Sequence, residues 1–248
     1  MIKRLSCVLK LSDSYSGRPA APADITIFCD DVLVAYQYKA GGFFVLVDLE
    51  QGGHTLEIRS WKYRREQLDI TVDYSVINAE NAVRYVMLNP SVQHPMAASA
   101  ASFCADIPEG EAVYVLREGF QLKIAEDNAD EGKTLVRMFS DKSAALYPSM
   151  FLIRDKSAAK SEFVVIKGCD GDMYMFGSPL RYSHARSTPA IPLIRYIADR
   201  DGVFAMLPQG LPEKDGEVSF TLLLEKNGKL TEKQLCIPAK GTAQLGSL

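Results

Sequence analysis

Apolar residues recur at every second position in short segments of this chain, and most segments end at glycine, proline, asparagine or aspartate. A period of two sends alternate side chains to opposite faces, which constrains the chain to half-buried β-strands. In residues 2–12, Leu5, Cys7, Leu9 and Leu11 share one face, while Arg4, Ser6, Val8 and Lys10 mostly take the other. Ile25, Ile27 and Cys29 repeat the pattern against Thr26, Phe28 and Asp30. Both cysteines therefore read as core.

Asp30-Asp31 reads as a turn into VLVAYQY, and Gly41-Gly42 as a hairpin into FFVLVDL. Gln51-Gly52-Gly53 reads as a corner into HTLEIRS, with both glycines supplying positive φ. QLDITVDY and residues 84–88 follow, the latter after a short VINAENA with helical character. This makes about seven strands before Pro90, the inventory of an antiparallel sandwich. NPSVQHPMAASAAS, rich in proline, alanine and serine and without periodicity, reads as a linker. The expected organisation is all-β: a seven-stranded Greek-key sandwich over 1–90, a linker over 91–102 and a second β-rich domain over 103–248. The second half resumes the alternation in EAVYVLRE, FQLKIAE, KTLVRMFS, SEFVVIKG, DMYMFGS, GVFAMLP and EVSFTLLLEK. KNGK at 226–229 is a two-residue hairpin signal, and 189–200 is open between strand and short helix.

The wording of the first half, SGRPAAPADITIF, then GGFFVLVDLEQGGHTLEIR, then Lys62-Tyr63 before LDITVDY, resembles the transthyretin-like or carboxypeptidase-regulatory-like domains. Gly17, Pro19, Gly42, Phe44, Asp48, Leu49, Gly53, Leu56, Ile58 and Tyr63 carry the resemblance, over about residues 12–74. His54 or Thr55 stands near the usual tyrosine, and Lys62 replaces the usual glycine before Tyr63. The resemblance implies a Greek-key sandwich and a noncatalytic extension, linker or adhesion-like module, and it brings no catalytic residues. The Gly52-Gly53 corner then reads as scaffold.

Composition narrows the partners. Lysine plus arginine number 28 against 31 acidic residues, so a net charge of -3 offers no global attraction to nucleic acid or an anionic membrane. No apolar run is long enough to insert in a membrane. MIKRLSCVLKLSD alternates instead of forming the continuous apolar core of a signal peptide, so cytoplasmic synthesis is expected, with release inside a larger particle left open. The five cysteines Cys7, Cys29, Cys104, Cys169 and Cys236 are scattered and form no CxxC pair, which argues against a disulfide framework and a thiolate zinc site. No cofactor is expected.

Three histidines, His54, His94 and His184, fall at a strand start, in the linker and in a polar loop, without metal-hydrolase spacing. RSWKYRRE places Arg59, Arg64 and Arg65 around Trp61 and Tyr63, a mixture suited to stacking or to anchoring a protein partner, and equally to guarding an edge strand. KGCDGDMYMFGSPLRYSHARSTP gathers Cys169, Asp170, Asp172, Arg181, Ser183, His184 and Arg186. There Asp170 and Asp172 are candidate oxygen ligands for calcium or magnesium, and Cys169 with His184 a candidate nucleophile pair; the competing reading is a β-turn followed by a surface loop. The leading expectation is a noncatalytic structural or adaptor subunit joining protein partners in a homo- or hetero-oligomeric assembly, with a phage-tail-like or contractile injection particle as one setting. A carbohydrate- or small-ligand-binding module and a cysteine- or metal-dependent hydrolase are the alternatives.

Overall fold

Alternation becomes strand throughout. The structure, a computed structural model, describes residues 3–78, 81–117, 122–140, 150–226 and 229–248. Two 3₁₀ turns, Pro22–Asp24 and Ala158–Lys160, are the helical elements among the described residues. Packing divides the chain into two units, Met1–Ala100 with Phe204–Gln209, and Ala101–Val203 with Gly210–Leu248.

The first unit contains β1 (Leu5–Asp13), β2 (Thr26–Cys29), β3 (Val32–Leu33), β4 (Gln37–Lys39), β5 (Phe43–Val47), β6 (Gly52–Arg59), β7 (Glu66–Val72) and β8 (Val83–Leu88). They form two four-stranded sheets, β4-β5-β1-β8 and β3-β2-β6-β7. The inward positions of both sheets, including Leu9, Leu11, Ile27, Phe44, Leu46, Leu56 and Ile58, meet in one core that also takes Cys7 and Cys29.

Eight strands appear among the described residues where the pattern suggested about seven, because VLVAYQY does not stay in one sheet. Its first two residues pair with β2, and its last two, with Lys39 after them, pair with β5. Val34 and Tyr36, between them, pack on the core, and the Tyr36 hydroxyl lies 2.9 Å from each of the Pro22 and Ile25 carbonyls, fixing the crossing. A second difference is that β1 pairs antiparallel with β5 but parallel with β8. β7 and β8 lie in different sheets, so a crossover and not a hairpin sets the direction of β8. No helix forms at 76–78 or 81–82. Asn78 and Asn81 instead accept each other's backbone N–H with their side chains, at 2.8 and 2.9 Å, while Ala79 and Glu80 lie outside the described residues.

The Asp30-Asp31 turn forms with both residues in the left-handed region, φ 48° and 66°. At the Gln51-Gly52-Gly53 corner Gly52 takes the expected positive φ, 138°, and Asp48 a second one, 56°, whereas Gly53 takes none. The Asp48 carboxylate accepts the Arg4 N–H at 2.9 Å, which holds this corner against the start of β1.

Beyond Ala100 come β9 (Ala101–Asp106), β10 (Ala112–Leu116), β11 (Leu122–Ile124), β12 (Asn128–Ala129), β13 (Leu135–Ser140), β14 (Met150–Ile153) and β15 (Glu162–Asp170). They are followed by β16 (Met173–Phe176), β17 (His184–Ala185), β18 (Pro189–Ile197), β19 (Val203–Met206), β20 (Glu213–Lys214), β21 (Glu217–Lys226), β22 (Lys229–Pro238) and β23 (Gly241–Ser247). In the second unit six of these close a ring, β11-β13-β16-β15-β14-β18, because β18 also pairs with β11. Each neighbouring pair in the ring is antiparallel. Leu122, Val136, Met138, Phe151, Ile153, Val164, Ile166 and Phe176 fill its interior, as in a small barrel. Past the ring, β18 pairs with β10, β10 with β21, and β21 with β22, while β23 runs parallel to β9.

The ambiguous 189–200 stretch is strand from Pro189 to Ile197. Two prolines remove donors that a helix needs, and their carbonyls accept the N–H groups of Arg154 and Arg117 at 2.9 and 2.8 Å. The KNGK hairpin pairs continuously from Glu217↔Pro238 to Lys226↔Lys229, with Asn227 and Gly228 outside the described residues. Residues 118–121, at the end of EAVYVLRE and the start of FQLKIAE, also lie outside them.

Two glycines of the first unit make contrasting demands. A Cβ at Gly42, φ 82°, would stand 2.6 Å from the Leu11 carbonyl oxygen, whereas one at Gly53 meets nothing within 4 Å. Gly42→Ala is expected to lower the unfolding free energy by about 2 kcal/mol or more, and Gly53→Ala by less than about 1 kcal/mol, measured by urea unfolding.

Candidate functional site

The corner between β6 and β7 is built around an inward tyrosine. Tyr63 is a correction to the expected surface set: it is 2% exposed, and its hydroxyl donates to Asp13 Oδ2 at 3.3 Å. Burial first, and the Asp13 carboxylate second, push its phenol well above the ordinary range. Trp61 stays outside, 54% exposed.

The backbone presenting the indole is clamped. Ser91 Oγ donates to the Trp61 carbonyl at 2.8 Å, the Ser91 N–H to the Lys62 carbonyl at 2.9 Å, and the Arg64 N–H to the Asn89 carbonyl at 2.8 Å. The clamp comes partly from the stretch read as a linker, of which residues 91–100 lie with the first unit. Turns hold that stretch, and buried His94 receives the Met96 N–H on Nδ1 at 3.2 Å while Nε2 faces Asp13 Oδ2 at 3.1 Å.

Beside the corner, the Glu57 carboxylate is covered by Arg59 and Arg65, and Gln67 Nε2 adds a contact at 3.3 Å. The Arg59 guanidinium, followed by Gln67 and Arg65, holds the Glu57 carboxyl below the usual range. Arg59 also lies 4.0 Å over the Phe28 ring. Lys62 Nζ stands 3.7 Å from Asp24, and Arg64 Nη1 donates to the Phe204 carbonyl at 3.4 Å. Two guanidiniums share one carboxylate here, two residues along the chain from the exposed indole on one side and four on the other.

The second-half cluster does not assemble. Asp170 and Asp172 flank Gly171 (φ 59°) in the β15–β16 hairpin, as the β-turn reading has it, and Asp172 pairs with Arg137 Nε at 3.2 Å. Cys169 is exposed, whereas His184 is fully buried, with Nδ1 3.0 Å from Asp155 Oδ2 and Nε2 2.9 Å from Glu162 Oε1. Glu162 also accepts the N–H groups of Arg181 and Tyr182, at 3.0 to 3.2 Å. Both ring nitrogens are engaged, so His184 clasps two loops and is not placed as a base for Cys169. Ser183 accepts the Glu131 N–H at 3.0 Å, and Arg186 pairs with Asp127 at 3.1 Å on the surface.

A different cluster forms at the corner read as scaffold. Among the described residues, Cys29, Asp30 and His54 are the one group of three or more histidine, cysteine or acidic residues whose ligand atoms all lie within 4.8 Å. β2 and β6 pair with Cys29 opposite Leu56, so the Asp30 turn and the His54 strand start arrive at the same end of the sheet. His54 Nδ1 lies 2.6 Å from Asp30 Oδ2, and Nε2 2.8 Å from the Glu50 carbonyl. Asp30 first, then Glu50, raises the His54 pKa, while the His54 ring and the Thr55 N–H lower that of Asp30. Burial, and then Asp30, pushes the Cys29 thiol up to about 11, which disfavours a free thiolate nucleophile. Sequence separation hid this group, and its one readable signal was a cysteine-aspartate step ending a strand that could neighbour His54.

Asp155 and Glu162 yield an expectation about stability. The Ser157 N–H, and after it His184, hold the Asp155 carboxyl below its ordinary 3.8 against the opposing effect of burial. A depressed carboxylate contributes stability that is fully present above pH 3.8 and lost as pH falls through its folded value. Asp155→Asn is expected to flatten the acid limb of a plot of urea midpoint against pH. Glu162→Ala, which strips buried His184 of one partner, is expected to cost about 3–5 kcal/mol in the same assay.

No protein-family model matches the chain, and no curated protein matches it. Among solved structures, the Bacillus anthracis TIE protein aligns at 8% identity and a TM-score of 0.26, over 98% of this chain and 50% of that one. A structure titled "Anomalous substructure of Titin-A168169" aligns at 6% identity and a TM-score of 0.17, over 96% of this chain and 98% of that one. The chain thus spans half the length of the Bacillus anthracis chain. Likeness at these TM-scores carries no argument about what the protein does.

Proposed function

We propose that the chain is a noncatalytic structural or adaptor subunit that joins protein partners through the Trp61 corner of its first unit. The observation that carries this reading is an exposed indole on a backbone that Ser91 and Asn89 already hold in place. Tryptophan and arginine are the residues in which binding energy concentrates at protein interfaces, and a prefixed turn loses little freedom on docking. Arg59 and Arg65, both exposed beside this corner, favour a partner surface carrying a carboxylate. The net charge of -3 favours a protein over nucleic acid, and no helix among the described residues is long and apolar enough to cross a membrane. The reading of the first unit as transthyretin-like is supported by its two four-stranded sheets around one core.

Affinity capture from the native host, with partners identified by mass spectrometry and their affinity measured against purified chain, tests the reading. Trp61→Ala is expected to weaken the identified partner by about 30-fold or more. Arg59→Glu is expected to weaken it also, and circular dichroism of the Trp61 variant should match wild type. A partner that binds Trp61→Ala as tightly as wild type, or recovery of no stoichiometric partner, overturns the proposal. Quenching of the lone tryptophan by a member of a glycan panel would reassign the corner to sugar binding.

A further inference from the structure

The Cys29, Asp30 and His54 cluster has geometry that a purely structural contact does not need. In metal sites the ligating histidine donates its other ring N–H to a carbonyl or carboxylate, which fixes the tautomer and aims the free nitrogen at the ion. His54 does this: Nε2 is spent on the Glu50 carbonyl at 2.8 Å, leaving Nδ1 facing Asp30. Asp30 is oriented in the same way, since Oδ1 accepts the Thr55 N–H at 2.9 Å and leaves Oδ2 toward Nδ1. Cys29 Sγ completes the set, 3.8 Å from that same Oδ2.

We infer that Cys29, Asp30 and His54 form a binding site for a divalent ion of the zinc class. Three donors of sulfur, nitrogen and carboxylate oxygen match zinc or cobalt, whereas calcium and magnesium take oxygen shells. Ligands about 2.0–2.3 Å from a tetrahedral zinc stand about 3.3–3.6 Å from one another. The sulfur–oxygen separation of 3.8 Å is already close to that value. The 2.6 Å between Nδ1 and Oδ2 is a hydrogen bond whose proton the ion replaces. Opening that edge by about 0.7–1.0 Å falls to Asp30, whose side chain is 53% exposed and can pivot about the Oδ1 that the Thr55 N–H holds. The thiol and ring protons leave to water as the ion enters, and water takes the fourth position beside the three protein ligands that converge among the described residues.

The site lies on strand ends already fixed by pairing, with Asp30 N–H on the Thr55 carbonyl at 3.0 Å, so binding asks for side-chain movement and little refolding. It is independent of the Trp61 corner, and the loss of either reading leaves the other standing.

Cobalt titration of the purified full chain tests the inference. One equivalent of Co²⁺ is expected to give a sulfur-to-cobalt charge-transfer band and tetrahedral visible bands, both abolished by Zn²⁺ in competition. Cys29→Ser is expected to remove the charge-transfer band, and Asp30→Asn and His54→Gln to weaken the ion at least about tenfold. Cys169→Ser and Cys236→Ser, which remove the exposed thiols, are expected to leave the band intact. Absence of any thiolate band, its survival in Cys29→Ser, or its loss with Cys169 or Cys236 overturns the inference. His54→Gln also removes a clasp and can unfold the corner; in that event Cys29→Ser and Asp30→Asn, with folding checked by circular dichroism, decide between binding and no binding.

Discussion

Satisfying backbone hydrogen bonds almost without helices is the constraint on which this structure turns. Each strand must find its partners at a distance in sequence, and every sheet edge left open exposes donors and acceptors. The second unit removes the β11 edge by closing β11 onto β18. β18 can do this because it is nine residues long and divides one side between β11 at Pro189–Ala190 and β10 at Leu193–Ile197. Among the described residues of the first unit the sheets stay open, with β4, β8, β3 and β7 at their edges. Its exposed aromatic and cationic groups follow from that openness: Trp61 sits where the chain turns into the edge strand β7.

Polar groups inside the two units serve loops. All three histidines have a carboxylate at hydrogen-bond distance: His54 has Asp30, His94 has Asp13, and His184 has Asp155 and Glu162. In each pair the partners are at least 22 residues apart, so the contact ties together segments distant in sequence at the ends of strands and in turns. Asp13 shows how much one such group holds. It accepts the N–H groups of Tyr15 and Ser16, the Tyr63 hydroxyl and the His94 ring, and so joins the end of β1, the Trp61 corner and the 91–100 stretch. A buried carboxylate left without these donors would be costly, which makes the arrangement specific as well as stabilising.

The strands were legible because a half-buried strand must alternate, and residues 5–13, 43–47 and 52–59 alternate where the structure has β1, β5 and β6. The partners were not legible. Nothing local in VLVAYQY says that Val32 and Gln37 belong to different sheets; the switch depends on Tyr36 reaching the Pro22 and Ile25 carbonyls. Trp61 and Tyr63 stand two apart, and strand periodicity would give them one face. The corner breaks that period, sending Tyr63 to Asp13 and Trp61 to solvent. Of the candidate surface set, Trp61, Arg59 and Arg65 are exposed, while Tyr63 belongs to the core. The acidic and thiol groups of 169–186 looked like a cluster only because they are near in sequence. A hairpin projects Asp170 and Asp172 outward while the fold buries His184.

Paired sheets disperse chemical groups along their lengths, since the pleat sends successive side chains to opposite faces, but this rule lapses at the ends of strands. Past Cys29, the last residue of β2, two residues in the left-handed region turn the chain back, and Asp30 is aimed along the sheet and not across it. His54 enters from β6, which starts beside that turn because Cys29 is in register with Leu56. A sulfur from the core side, an oxygen from the turn and a nitrogen from the neighbouring strand thereby meet although each alone obeys an ordinary structural rule. The Gly52-Gly53 approach leaves room around the start of β6, with nothing within 4 Å of where either glycine would carry a Cβ. Corners of adjacent hairpins are thus where a fold of this kind can gather unlike donor atoms, and the same corner that reads as scaffold along the chain is a cluster across it.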